Sequence, residues 1–441
     1  MGGIFKAYDI RGIVGETLTN DTAYDIGRAF ATFLNCRRVA VGQDMRPHSH
    51  GMFEALARGL TELGVDVIDV GIVSTPMLYY ANGLLGVDGS IIITASHNPA
   101  EWNGFKLCRE KAIPISGATG IQDIERIVAD GSYAPKSVKP GIIEKYDVIP
   151  EYCAHIRELA DIRRPLKVCV DFANGMGIVE GRALDGLIEI DPLFDTLDGS
   201  FPNHEANPLK AETYEAIQNR MQSGEYDFGV SFDGDADRAG FLDENGEIIS
   251  MDMITALVAK SILQKIGSGN IFYDLRSSLA VKEVIEENGG TAMMSRVGHA
   301  FIKAQMREAD AVFAGELSGH YYFKENYYTE SSALAVVMVA SLVSQSAQPL
   351  SEMIKPFMRY HNSGEINSTV ADTEAVFQRL KQKFADEGEL FELDGISFEF
   401  GDWRFNVRAS NTEPLVRLNL EADTAEKMAA RRDEVLELIR N

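Results

Sequence analysis

One short pattern recurs three times along the chain and restricts its fold more than any other feature. An apolar strand ends in aspartate, an amphipathic helix follows, glycine stops it, and a second strand begins. Val39-Ala-Val-Gly-Gln-Asp44 is the first such strand. Met52, Ala55, Leu56, Leu60 and Leu63 then recur at helical spacing, Gly64 ends the run, and Val65-Asp-Val-Ile68 resumes as strand. Lys167-Val-Cys-Val-Asp171 repeats the order, with Asn174-Gly-Met-Gly177 opening the next segment. Ile271-Phe-Tyr-Asp274 repeats it again, with a helical run from Leu279 to Glu287, a Gly289-Gly290 stop and a strand from Thr291 to Met294. Strands alternating with helices predict α/β units, and their spacing of roughly a hundred residues predicts related domains.

At 441 residues the chain is too long for one domain. Beyond about His361 its character changes. A helix is expected over Thr373–Phe384, alternating strands over 396–400, 403–408 and 416–420, and a last helix after an N-cap at Thr424. The expected fold class is therefore α/β, three related α/β domains followed by a C-terminal α+β domain. Turn formers over 132–141 mark one boundary. The expected domains are 1–146, 147–247, 248–360 and 361–441.

The chemistry concentrates in turns. Ser231-Phe-Asp-Gly-Asp-Ala-Asp-Arg238 follows the apolar run Phe228-Gly-Val-Ser-Phe232. Carboxylates as close as Asp233, Asp235 and Asp237 repel one another unless a cation sits among them, and hard oxygen ligands suit Mg²⁺ or Ca²⁺. Arg238 adds positive charge suited to a site that also receives phosphate. An EF-hand is the rival, with Glu244 at its twelfth position, but Arg238 falls where that loop needs glycine. A solvated acidic turn is the other alternative. Earlier, the buried strand Gly89-Ser-Ile-Ile-Ile-Thr94 runs into Ala95-Ser96-His97-Asn98-Pro99, with Asn103-Gly-Phe-Lys106 close behind. Ser96 is thus expected at a strand's carboxyl end, where α/β sheets bind ligands; an ordinary turn capped by Ser96 and Asn98 is the alternative. Near the end, Arg408 and Arg417 flank Ser410-Asn-Thr412 between two strands, a combination suited to gripping phosphate, although Ser410 and Glu413 also have capping-box spacing.

A formal net charge of -24 argues against nucleic acid or an anionic membrane as partner. No apolar signal segment opens the chain. Cys36, Cys108, Cys153 and Cys169 lack paired spacing, so free thiols in a reducing cytoplasm are expected. The most apolar stretch, 333–343, is too short to span a membrane and is expected as a buried helix.

The segments 94–99, 103–106, 233–238, Gly315-Glu-Leu-Ser-Gly-His320 and Arg408-Ala-Ser-Asn-Thr-Glu-Pro414 occur in one order from Tyr8-Asp-Ile-Arg-Gly12 to the last helix. Together they resemble the α-D-phosphohexomutase family, its bacterial phosphomannomutase/phosphoglucomutase branch. The resemblance implies four domains around a central active-site cleft and a resting enzyme phosphorylated on Ser96. Mg²⁺ would be held by Asp233, Asp235, Asp237 and the phosphate on Ser96, and a hexose 1,6-bisphosphate would serve as intermediate and activator. Arg11 and Lys106 match positions beside the transferring phosphate. His97 and His299 are candidates for acid–base work. Glu316, Ser318 and His320 match the sugar-recognition loop, where a carboxylate takes O3 and O4. Tyr8, Arg238 and Arg276 match other substrate positions. Arg408, Ser410, Asn411, Thr412 and Arg417 would hold the phosphate that is not reacting. The partner implied is a small phosphosugar, and the protein is expected as a monomer or small homo-oligomer. Phosphoglucosamine mutase is the nearest alternative, although that branch usually places glutamine where Leu317 stands; a phosphosugar phosphatase or a binding protein without turnover lies further off. Val297, Ala236 and the stretch Thr329-Glu-Ser-Ser332 depart from the family pattern, which bears on sugar preference rather than on the reaction.

Overall fold

The strand Arg38–Gln43 is buried at every residue but its first, as a central parallel strand must be when helices cover both faces of its sheet. A computed structural model describes residues 3–222, 224–409 and 415–441. From Arg38–Gln43 the chain passes through helix Ser49–Glu62 to Asp66–Ile72, which pairs parallel with it, a few residues longer than the strand expected there. Met52, Ala55, Leu56 and Leu60 of that helix are buried, and Gly64, with φ 86°, takes the chain out of it. Helix Thr75–Leu85 leads to Gly89–Ile93, parallel on the other side of Arg38–Gln43, and Trp102–Arg109 then returns antiparallel.

The other two units repeat this path. Lys167–Asp171, Glu189–Leu193, Phe228–Phe232 and Ala239–Leu242 form the second sheet, and Asn270–Asp274, Thr291–Ser295, Phe313–Gly315 and Tyr321–Phe323 the third. In all three the neighbours run second, first, third, fourth, with only the fourth strand antiparallel. Each unit therefore ends its third strand in one hairpin turn, and these turns are 94–101, 233–238 and 316–320. The repeated aspartate also makes the same local bond each time. Asp44, Asp171 and Asp274 each accept the backbone N–H two residues on, at 3.0, 2.8 and 2.7 Å. Ile248–Ile249 pairs with Ala239–Leu242 and so extends the second sheet just past the boundary expected at 247.

The fourth domain is an antiparallel sheet whose described strands include Ile396–Glu399, Trp403–Ala409 and Leu415–Ala422, covered by helices Thr373–Phe384 and Ala425–Arg440. Its core of Leu380, Phe398, Trp403, Phe405 and Leu418 is its own. By contrast, one apolar core runs through the first three domains, from Leu78 by Tyr152 and Phe232 to Val336. A buried polar knot also joins them: Glu180 accepts from Ser74 Oγ at 2.5 Å and Tyr152 Oη at 3.1 Å, and Tyr152 meets Ser331 at 2.7 Å. Burial pushes the Glu180 carboxyl up to about 7. Polar contacts join the fourth domain to the third, among them Leu279 N–H to Glu421 at 2.6 Å and Lys282 Nζ to Glu399 at 3.3 Å.

Helix Ser332–Gln345 lies in the shared core, and no single described helix is long and apolar enough to cross a membrane. The four cysteines are free.

Candidate active site

Gly89–Ile93 is buried throughout, and the chain leaving it turns at Ser96 with φ 51°, a left-handed conformation that costs a non-glycine residue energy. Two groups hold it there. Thr94 Oγ1 accepts the Ser96 N–H at 2.9 Å. Arg46, only 2% exposed, donates to the carbonyls of Ser96 (2.9 Å), Asn98 (2.6 Å), Pro99 (2.7 Å) and Trp102 (2.9 Å), and its Nε donates to Asp44 at 3.2 Å. All five N–H groups of this guanidinium are used: four hold carbonyls of the serine turn and of Trp102 just after it, and the fifth goes to Asp44. Arg46 is absent from the residues expected from the sequence. A signal for it lies in the repeat, since Asp44-x-Arg46 matches Asp274-x-Arg276.

The turn of the second domain meets that serine. Ser96 Oγ donates to Asp233 Oδ2 at 2.8 Å across a separation of 137 residues. Backbone approaches backbone so closely that a Cβ on Gly234 would lie 2.3 Å from the Ser96 carbonyl oxygen. Thr75, at the start of helix Thr75–Leu85, donates its hydroxyl to Asp235 Oδ2 at 2.6 Å and its N–H to the Asp235 carbonyl at 3.1 Å. Behind the turn, Ser332 Oγ donates to the carbonyl of Ala236 at 2.6 Å. Ala236 has φ 57°, a left-handed conformation that suits glycine and costs an alanine energy.

Asp233, Asp235 and Asp237 are all buried, and one oxygen from each lies within 4.8 Å of the others. Lys106 Nζ donates to Asp235 Oδ2 at 2.6 Å and also pairs with Asp237. Burial and repulsion from Asp237 and Asp235 hold the Asp233 carboxyl well above its ordinary range. Burial alone would raise Asp237 too, but Lys106 and His320 carry it well below. Asp235 Oδ1 is buried without a hydrogen-bond partner, and Asp237 Oδ1 is buried with the His320 ring facing it, at 3.3 Å. These two oxygens, on neighbouring carboxylates and free of any protein N–H or O–H in good geometry, are donors of the kind that a hard divalent cation takes. The residues present therefore fit Mg²⁺. The EF-hand alternative fails: strands, not helices, flank the turn, and Glu244 accepts instead from the hydroxyl and N–H of Ser351 at 2.5 and 3.1 Å.

The remaining first-domain candidates converge on the same place. Arg11 pairs with Asp9 at 2.6 Å, donates to the Ala95 carbonyl at 3.2 Å and bonds Asn98, so its charge lies along the serine turn. His97 Nδ1 is 3.2 Å from Ser96 Oγ; burial, with Arg238 and Arg11 nearby, pushes its pKa down to about 2, leaving a neutral imidazole. Tyr8 reaches the third domain, 3.4 Å from the Val297 carbonyl and edge-on to His299.

The third-domain turn supplies the other wall. Glu316 accepts from Gly298 N–H at 3.1 Å and Tyr322 Oη at 2.6 Å, and His320 Nδ1 lies 3.1 Å from it. Although burial opposes ionisation, His320 and Arg276 hold the Glu316 carboxyl down at about 2. Ser318 Oγ is 2.9 Å from His320 Nδ1, and His320 Nε2 is 3.3 Å from Asp237 Oδ1, so this histidine bridges the sugar-loop and aspartate turns. Burial disfavours its charge, but Asp237 outweighs that and brings its pKa up to about 9. Arg238 stands 3.9 Å from both Asp233 and Asp237, and its Nε donates to His320 Nε2 at 3.3 Å, so it lies between the aspartate turn and the third-domain turn. Arg276 is held by Asp274 at 2.7 Å, and Asp274 also accepts the Leu317 N–H at 2.8 Å. His299 opens helix His299–Glu308, partly exposed but with a buried Nδ1 that is unpaired 3.9 Å from Glu330; desolvation keeps its pKa well below the ordinary value. It is neutral, and its Nδ1 has no hydrogen-bond partner among the described residues. In the fourth domain Arg408 and Arg417 face each other on paired strands. Ser410, Asn411 and Thr412 lie outside the described residues.

Three α/β domains whose equivalent turns meet in one buried cleft, with an α+β domain beside them, define a phosphohexomutase architecture. Models of the phosphoglucomutase/phosphomannomutase family match the chain in four pieces: α/β/α domain I over 2–134, domain II over 150–246, domain III over 250–360 and the C-terminal domain over 365–438. A phosphomannomutase of Salmonella montevideo is 40% identical over 448 residues, covering 99% of this chain and 98% of that protein. One of Methanocaldococcus jannaschii is 41% identical over 442 residues, covering 99% and 97%. The crystal structure of a phosphoglucomutase/phosphomannomutase family protein from Burkholderia thailandensis is similar with a TM-score of 0.92 at 33% identity, covering 99% of this chain and 96% of that one. The chain belongs to the phosphoglucomutase/phosphomannomutase family.

Proposed function

We infer that the protein is a phosphohexomutase interconverting hexose 6-phosphate and hexose 1-phosphate, with mannose and glucose phosphates as substrates. The contact of Ser96 Oγ with Asp233 carries this reading, because a hydroxyl of one domain is set against a cation-suited turn of another. Phosphoryl transfer asks chiefly for position and charge neutralisation, and both are supplied here.

In this reading Ser96 works in its phosphorylated form. Its P–O bond breaks as a new one forms to the free O1 or O6 hydroxyl of a bound hexose monophosphate, whose proton passes to a base in the cleft. The hexose 1,6-bisphosphate so formed turns end over end and returns its other phosphoryl group to Ser96. Arg11 and Lys106 supply fixed positive charge beside the transferring group. Mg²⁺ held by Asp233, Asp235 and Asp237 would neutralise further charge on that group. Glu316, anionic and buried, takes O3 and O4, which mannose and glucose share. Arg408 and Arg417 grip the phosphate that is not reacting. The fourth domain, with a core of its own, closes over the cleft and keeps water from the phosphoserine. The charge of -24 and the free cysteines suit a cytoplasmic protein that takes small phosphosugars rather than nucleic acid or membrane.

The direct test is turnover of mannose, glucose and glucosamine 6-phosphates side by side, with trace hexose 1,6-bisphosphate. Mannose and glucose phosphates should be isomerised at comparable kcat/KM and the glucosamine ester poorly. Glu316→Gln should lower kcat/KM for both good substrates together, by about 10²-fold, since it weakens charge-assisted hydrogen bonds to hydroxyls common to them. Release of inorganic phosphate as fast as isomer formation would instead mark a phosphatase.

Metal removal offers a second check. Chelator-treated protein should lose turnover and regain it with Mg²⁺. Independently of activity, Mg²⁺ should raise the unfolding temperature, because it relieves repulsion among three buried carboxylates. An unfolding temperature indifferent to Mg²⁺ would mean that the aspartates do not bind it.

A further inference from the structure

Arg408 and Arg417 sit directly opposite each other on antiparallel strands, an arrangement in which like charges destabilise a sheet unless an anion lies between them. In this structure the anion is the protein's own. Glu365 accepts from Arg408 Nη2 at 2.8 Å through one carboxylate oxygen and from Arg417 Nη1 at 3.3 Å through the other. It stands just before the strand Ile366–Thr369, next to Gly364 with φ 68°, in the segment that enters the fourth domain. Its side chain is one-third exposed, and it lines a 550 Å³ cavity together with Arg276 and Leu317 of the third domain. One carboxylate does not saturate two guanidiniums. Arg408 Nε and Arg417 Nε are both buried and without a hydrogen-bond partner among the described residues, so Glu365 leaves donors of the pair for a second anion.

We propose that Glu365 is a built-in competitor for the substrate's phosphate, holding the arginine pair in the ligand-free protein and loosening its grip on the phosphate that is not reacting. This rests on the reading of Arg408 and Arg417 as the phosphate clamp. The function of such a competitor follows from the reaction. A bisphosphate that must let go, turn and bind again by its other end is trapped by a clamp that holds too well, since binding ground state and transition state alike does not raise turnover. A carboxylate already seated on both arginines subtracts from phosphate affinity by like charge and by the cost of displacing it, while keeping two facing cations from repelling each other in the empty site.

The test compares Glu365→Gln, which keeps size and hydrogen bonding but removes the charge, with Arg417→Gln and the unchanged protein. Steady-state turnover of mannose 6-phosphate and competitive inhibition by inorganic phosphate are measured for each. Glu365→Gln should lower KM and the inhibition constant of phosphate by about two- to fivefold, the upper range of partly exposed ion pairs. It should also lower kcat and lengthen the retention of bound hexose 1,6-bisphosphate. Arg417→Gln should raise KM and the phosphate inhibition constant. If Arg417→Gln leaves both unchanged, the clamp reading and this inference fall together. If Arg417→Gln weakens phosphate but Glu365→Gln weakens it too, or leaves it unchanged, the clamp stands and Glu365 merely positions the arginines. Should Glu365→Gln fail to fold, Glu365→Asp, with a carboxylate drawn back from the pair, should tighten phosphate in the same direction, and a weakening there overturns the proposal.

Discussion

Replacing Ser96 by alanine should lower turnover by on the order of 10⁴-fold or more, the scale seen when a covalent nucleophile is removed. Hexose phosphate binding should change little, because Glu316 and the Arg408–Arg417 pair are untouched. The fold should tolerate the change: the hydroxyl's polar contacts are Asp233 and the His97 ring, and the turn itself is held by Thr94 and Arg46. Intact mass gives the readout that binding and stability cannot. The unchanged protein should gain one phosphoryl group when incubated with hexose 1,6-bisphosphate, and Ser96→Ala should gain none. A variant that keeps more than about one part in a hundred of the original rate, a loss of under about 2.7 kcal/mol in transition-state stabilisation, would place the phosphate carrier elsewhere.

Arg46→Met should produce the largest stability loss of any single change near the cleft. It leaves Asp44 buried without its cation and four carbonyls in and just after the serine turn without donors. Removing one partner from a buried ion pair costs about 3–5 kcal/mol, a large part of the roughly 5–15 kcal/mol that holds a domain folded. Arg46→Lys should recover only a minor share, since an ammonium has three donors and no planar fork with which to reach carbonyls on both sides. Turnover in Arg46→Lys should fall by about 10²-fold through kcat, because a misplacement of about 1 Å at Ser96 is enough for that. Phe201 of the second domain lies 5.1 Å from this guanidinium, so the loss should extend to the contact between the serine and aspartate turns. Denaturant unfolding followed by the first domain's signal, paired with kcat, checks both parts. An Arg46→Met protein as stable and as fast as the original would show that the turn holds itself.

Much of the cleft is legible in the sequence because its groups come in short runs. Asp233, Asp235 and Asp237 stand out by their spacing as a candidate cation site and Ser96 by its place after a buried strand, while the family resemblance, not the spacing, separates these readings from an acidic turn and an ordinary one. The thrice-repeated strand, aspartate and helix reveal the domain plan, and the equivalence of the three hairpin turns follows from it. His320 is less legible. Nothing local separates a structural imidazole from one that, as here, joins Glu316 to Asp237. Thr75, Ser332 and Arg46 escape for a related reason. Their hydrogen bonds span 160, 96 and 50 residues, to Asp235, Ala236 and Ser96, and their immediate neighbours show no sign of them. Arg238 has its backbone N–H on Asp233 at 3.2 Å and its Nε on His320 at 3.3 Å, a second contact that its place in the acidic run does not reveal.

Periodicity, turn chemistry and carboxylate spacing act over a few residues, so the amino-acid order alone determined the helices, the strands, the repeat and the kinds of group each turn carries. Which group meets which was decided by the docking of the first three domains on one continuous core, because only that packing brings a hydroxyl and a carboxylate 137 residues apart to 2.8 Å. The same holds for charge. Whether a buried aspartate is raised, as Asp233 is, or lowered, as Asp237 is, depends on which distant lysine or histidine lies beside it, and only the assembled cleft supplies that neighbour.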